Sequence, residues 1–131
     1  MFRLIKSLKG NNQCETTKLY ANGSLTVVYG SAVGCGSSGI TSPSATVSPD
    51  FIVIDTVSAG EQKKVDAIIV SEDMVFKVEY TGTANPYIGM PVGLASYKGT
   101  MDAVSYNSNG KGTIIAIEDD DRRYVHVRFR K

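Results

Sequence analysis

The run over residues 73–80, Asp-Met-Val-Phe-Lys-Val-Glu-Tyr, constrains the fold of this chain more than any other stretch. Successive side chains of an extended strand point to opposite faces, so Met74, Phe76, Val78 and Tyr80 share one face while Lys77 and Glu79 take the other. That pattern belongs to a sheet with one side in a core. Similar short segments surround it. Residues 25–29 are β-branched and aromatic and follow the turn-forming Asn22-Gly23; residues 51–57 and 63–70 have strand character on either side of a turn at 58–61. Residues 87–95 read as a strand bent by Gly89, Pro91 and Gly93. Residues 103–106 and 112–117 flank Asn107-Ser108-Asn109-Gly110-Lys111, whose Asn and Gly residues suit a hairpin loop. Residues 124–129 close the series, with Val125, Val127 and Phe129 on one face and Tyr124, His126 and Arg128 on the other.

No stretch keeps a helical period. About eight short strands at this spacing predict an all-β fold, a small sandwich or barrel in a single domain over residues 1–131. Two segments stand apart. Residues 30–50 are rich in Gly, Ser, Thr, Ala and Pro and read as a long flexible loop. Residues 1–10, whose first part is apolar and basic, read as a strand, a helical turn or an arm that lies on a partner.

A chain of 131 residues can bury a real core without disulfides or metals. Its 14 basic and 13 acidic residues leave a net charge of +1, which disfavours a nonspecific nucleic-acid binder dependent on a strong positive field. Charge is nevertheless uneven. Arg3, Lys6 and Lys9 mark the amino end and Arg122, Arg123, Arg128, Arg130 and Lys131 the carboxyl end, with the acidic run Glu118-Asp119-Asp120-Asp121 before the latter. Cys14 and Cys35 are too few and too far apart for a zinc motif and are expected as reduced thiols. The opening segment is too short and too charged for a signal h-region or a membrane span, so no membrane partner is expected.

Each chemical constellation has a simpler reading. The glycines of residues 30–39 lack the Gly-Lys-Ser/Thr ending and the following helix of a phosphate-cradling loop. The acidic run lacks the spaced carboxylates and central Gly of a calcium loop and reads as a solvated turn. His126 is the sole histidine, so neither a two-histidine metal site nor a histidine pair can be built. No serine sits in a nucleophile elbow. The sequence therefore predicts no catalytic residue, no metal ligand and no cofactor. The seven tyrosines offer an alternative: clustered with the carboxyl-terminal arginines, they would form the site of a nucleic-acid- or glycan-binding β-barrel.

Four stretches carry a family resemblance: residues 1–10 (Met-Phe-Arg-Leu-Ile-Lys-Ser-Leu-Lys-Gly), 70–82, 88–94 (Ile-Gly-Met-Pro-Val-Gly-Leu) and 125–130 (Val-His-Val-Arg-Phe-Arg). Together they resemble small all-β auxiliary head proteins of tailed bacteriophages, the decoration or cement proteins. Residues 30–49 depart from the pattern. The resemblance implies a non-enzymatic virion protein, made in the host cytoplasm, that binds the major capsid protein on the outer shell as a homo-oligomer such as a trimer. On that reading Phe2, Arg3, Leu4 and Lys6, with Arg128 and Arg130, contact the capsid or sister subunits. The competing reading makes the same residues the first and last core strands. A tail or head-completion protein has the same composition.

Overall fold

The computed structural model describes residues 1–7, 15–21, 25–56, 58, 64–98, 100–118 and 123–131. The fold is all-β, with eleven strands among the described residues where about eight were expected. Five of them form a closed ring. β7 (Met74–Tyr80) pairs with β11 (Tyr124–Phe129), β11 with β10 (Gly112–Ile117), β10 with β8 (Pro91–Ala95), β8 with β9 (Ala103–Tyr106), and β9 returns to β7. All neighbours are antiparallel except β7 and β9, which run parallel. An irregularity between Ile114 and Ala116 bends β10 against β11, as tight closure demands.

The alternation of β7 builds the inside of this barrel. Met74, Phe76, Val78 and Tyr80 are buried and meet Val125, Val127 and Phe129 of β11, with Val92, Leu94, Val104 and Ile114 completing the cluster. Lys77 and Glu79 face outward and are half-buried, as the period-2 reading requires. β1 (Arg3–Ser7) lies outside the ring, antiparallel on the first half of β7, and β9 occupies the second half of the same edge. Of the opening segment, residues 3–7 are thus a strand, and residues 8–10 lie outside the described residues.

The second sheet has the order β2-β6-β5-β3-β4, from β2 (Thr16–Tyr20), β6 (Lys64–Ile69), β5 (Phe51–Val53), β3 (Ala32–Gly36) and β4 (Gly39–Thr41). Its two faces divide the apolar residues. The pair Ile52 and Ile68 joins the barrel cluster, while Leu19, Val33, Ile40, Val53, Val65 and Ala67 form a second core closed by Val27. The sheet curls until β4 meets the end of β2: a Cβ at Gly39 would stand 2.6 Å from Tyr20 O. Backbone bonds lock sheet to barrel, among them Ala32 N to Met101 O at 2.9 Å and Leu94 N to Ala45 O at 3.1 Å.

Three expectations are corrected here. The supposed loop over residues 30–50 contains the β3–β4 hairpin, in which Gly34 pairs with Thr41 and Cys35 with Ile40. Residues 25–29 are no strand: Val27 makes an isolated bridge, and its buried side chain serves as a lid over the second core. Residues 107–111 do not close a hairpin, because β9 and β10 flank β8 and are not neighbours. The turn expected at residues 58–61 lies outside the described residues except for Ser58.

Candidate functional site

The outer face of β1, β7 and β11 gathers the charged side chains that the alternation expels from the barrel. Cross-strand partners share a face. Arg3 pairs with Lys77 and Lys77 with His126, giving one row across three strands. Lys6 pairs with Val75, and the β7–β11 register continued by one residue sets Arg128 level with Val75. Arg3, Lys6, Lys77, His126 and Arg128 therefore lie on one sheet face about 10 Å wide from β1 to β11, given a strand spacing near 4.8 Å.

Carboxylates from the ends of the strands temper that charge. Glu118, just past β10, takes Lys77 Nζ at 2.9 Å and His126 Nε2 at 3.5 Å on the same oxygen. The hydrogen bond from Lys77 is the main reason its carboxyl lies below the usual range; desolvation opposes the shift and His126 adds to it. Lys77 Nζ also stands 4.9 Å from the centre of the Tyr124 ring, and the Arg123 guanidinium 5.8 Å from it. Glu79 accepts from the amine of Met1, which also donates to Asp102 O at 2.5 Å. Met1, Arg3, Lys77, Glu79, Glu118 and Tyr124 line a shallow depression of about 290 Å³.

The six residues singled out from the sequence divide by burial and bonding. Phe2 is 2% exposed and packs edge-on to Phe76 at 6.1 Å and tilted to Phe129 at 5.8 Å between ring centres, so in this state it plugs the core. Leu4 is half-buried against the same cluster. Arg3 and Lys6 are exposed on the outer face. Arg128 is exposed, yet Nε and Nη2 donate to Glu72 O at 3.1 and 3.0 Å, tying β11 to the turn before β7. Arg130 Nη2 reaches Gly110 O at 3.3 Å. The neighbouring groove of about 300 Å³ is lined by Glu72, Thr113, Ile115, Arg128, Phe129 and Arg130. Lys77 and Glu118 were not among the six, although the polar phase of residues 73–80 marks Lys77 as outward.

Among the described residues no group of three or more His, Cys, Asp or Glu side chains could hold a metal ion. Asp119–Asp121 of the acidic run lie outside the described residues, and so does Cys14; Cys35 is an exposed free thiol. No helix among them is long and apolar enough to cross a membrane. The outer face presents exposed cations at Arg3, Lys6 and Arg128. Comparisons with protein-family models, with curated proteins and with solved structures find no match.

Proposed function

We propose that this chain is a non-enzymatic auxiliary head protein of a tailed bacteriophage, which binds the outer capsid surface as a homo-oligomer and stabilises the shell. The resemblance of residues 1–10, 70–82, 88–94 and 125–130 supplies the class. The observation that carries the binding surface is the set Arg3, Lys6, Lys77 and Arg128 on one face of β1, β7 and β11. Such a face suits an acidic protein surface, with rim charges steering encounter more than setting affinity. Stabilisation is then mass action: a ligand that binds the assembled shell and spans several subunits shifts the equilibrium toward it, and many weak contacts act together.

The test mixes purified protein with capsids that lack it, sediments them, and counts copies bound per shell beside the mass of the unbound species. Saturation at a symmetry-related copy number supports the proposal. The triple variant Arg3→Ala, Lys6→Ala, Arg128→Ala should bind at least tenfold more weakly, and added salt should weaken the wild type more than the variant. Absence of saturable binding to the shells refutes the reading and leaves the tail or head-completion alternative.

A further inference from the structure

The opposite character appears at another part of the barrel. Residues 81–97 and 103–110 contain no Asp, Glu, Lys, Arg or His, in a chain that is 21% charged. They are rich instead in Gly, Asn, Ser, Thr and Tyr. Within them lie the most exposed large apolar side chain among the described residues, Ile88 at 69%, and three half-exposed tyrosines: Tyr87 at 53%, Tyr106 at 50%, and Tyr97 at 45%, whose hydroxyl accepts from Arg123 Nη2 at 3.4 Å.

The backbone brings these residues together and fixes them. Tyr87–Met90 is a tight turn: Met90 N donates to Tyr87 O at 3.0 Å, and Gly89 has φ +94, the third-position conformation of a type II turn. Met90 is buried and Gly89 N donates to Ile114 O at 2.7 Å, so the turn is anchored on both sides while Ile88 stands at its tip. The turn runs straight into β8, and Asn107 N donates to Pro91 O at 3.1 Å, which holds the end of β9 beside it. Tyr106 follows Val104 in the inward phase of β9 but is half-exposed, so its ring leaves the barrel at the mouth. Beneath it Tyr80 donates its hydroxyl to Ala84 O at 2.7 Å. Burial holds that phenol above its ordinary range, the Tyr106 backbone lies against it, and Tyr87 is near enough to act on its charge.

We infer that this barrel mouth is a binding site for a neutral carbohydrate, with Tyr87 and Tyr106 as stacking platforms, Ile88 as an apolar flank and Asn107 as a polar neighbour. The faces of a pyranose ring carry C–H groups that pack on aromatic rings, and its hydroxyls pair with amides and hydroxyls, so neither partner needs a charge. Barrel mouths are common ligand sites, and rigid aromatics give contact area at low entropic cost. A nucleic acid fits less well: single strands require a row of cations along their phosphates, whereas residues 81–97 and 103–110 contribute none of their own and the guanidiniums that reach them, Arg123 at the Tyr97 hydroxyl and Arg130 at Gly110 O, are engaged there. The sequence-level alternative combined tyrosines with the carboxyl-terminal arginines, whereas Arg128 lies on the face of β1, β7 and β11, with its guanidinium at Glu72 O. The inference is independent of capsid binding, which uses the face of β1, β7 and β11.

Amide-resolved NMR titration tests it, with cellohexaose, chitohexaose and maltohexaose as the probes. At least one of them should shift the amides of residues 87–89 and 106–108 with a dissociation constant below about 10 mM, unchanged between about 50 and 500 mM salt. Tyr87→Ala or Tyr106→Ala should weaken binding at least tenfold, while Arg128→Ala leaves it unaltered; both tyrosines are half-exposed, and the amide spectrum itself reports whether each variant is folded. Absence of shifts at these amides with all three probes overturns the inference, as does affinity that falls with salt. Sedimentation with neutral phosphatidylcholine vesicles that is lost in Ile88→Ser, or self-association lost in the same variant, would assign the patch to lipid or to a second copy and equally overturn it.

Discussion

Replacing Phe2 by Ala separates a core role for the first strand from an outward one. The ring is 2% exposed and lies between Phe76 and Phe129. Truncating a fully buried Phe removes its transfer energy and leaves a cavity, together costing about 3–5 kcal/mol. The edge-on and tilted ring pairs place this site near the middle of that range, about 4 kcal/mol, since the walls are aromatic and collapse poorly. With an unfolding entropy of about 2.1 cal/mol/K per residue, 131 residues give about 0.28 kcal/mol/K, so the midpoint should fall by about 14 °C. Calorimetry, or thermal unfolding followed by near-UV circular dichroism of the tyrosines, reads this directly. The control is Lys6→Ala on the same strand, exposed, for which a change within about 0.5 kcal/mol is expected. A loss below about 1 kcal/mol for Phe2→Ala would refute the plug, and with it the assignment of this residue to the core rather than to a partner.

Two further predictions concern the second sheet and the charged face. Gly39 has φ +100 and its missing Cβ would meet Tyr20 O at 2.6 Å, so Gly39→Ala should destabilise by at least about 2 kcal/mol in urea unfolding, while a neutral result would mean that β4 does not abut β2. The Glu118 carboxyl, held below its usual range chiefly by Lys77, should titrate by carbon-detected NMR below an unperturbed glutamate and return toward it in Lys77→Met. Because the folded value is the lower one, its contribution to stability is present above the unfolded pKa and lost as pH falls through the folded pKa; an unchanged midpoint in Lys77→Met removes Lys77 as the cause.

What could be read from the sequence was local alternation. Residues 74–80 and 124–129 declare their inner faces because every second side chain is apolar, and the structure places them as adjacent strands of the barrel. The β3–β4 hairpin was hidden for the opposite reason. Its strands are glycine-rich, and their place in the sheet follows from pairing with β5 and from the close meeting of Gly39 with β2, both non-local. Residues 25–29 had strand composition, yet Val27 covers a core instead of joining a sheet, so tertiary demand overrode propensity. Residues 107–111 had turn chemistry, but the strands that they join both pair with β8, a choice that ring closure makes. For the charged face, Arg3 and Lys6 were legible as basic residues on an extended segment. Their alignment with Lys77 and Arg128 required the registers of two strand pairs.

The position of β1 has a consequence for how the molecule comes apart. The barrel closes through β7 and β9 without it, so β1 can detach while every other ladder of the ring persists. Partial openings of this kind form cooperative units with free energies below that of global unfolding. Here the unit is defined by the first seven residues, held by the ladder to β7, by the bond from Phe2 N to Gly30 O, and by one aromatic ring seated between two others. The amino-terminal strand is thus a detachable stave, stable in place and yet releasable from a barrel that keeps its form.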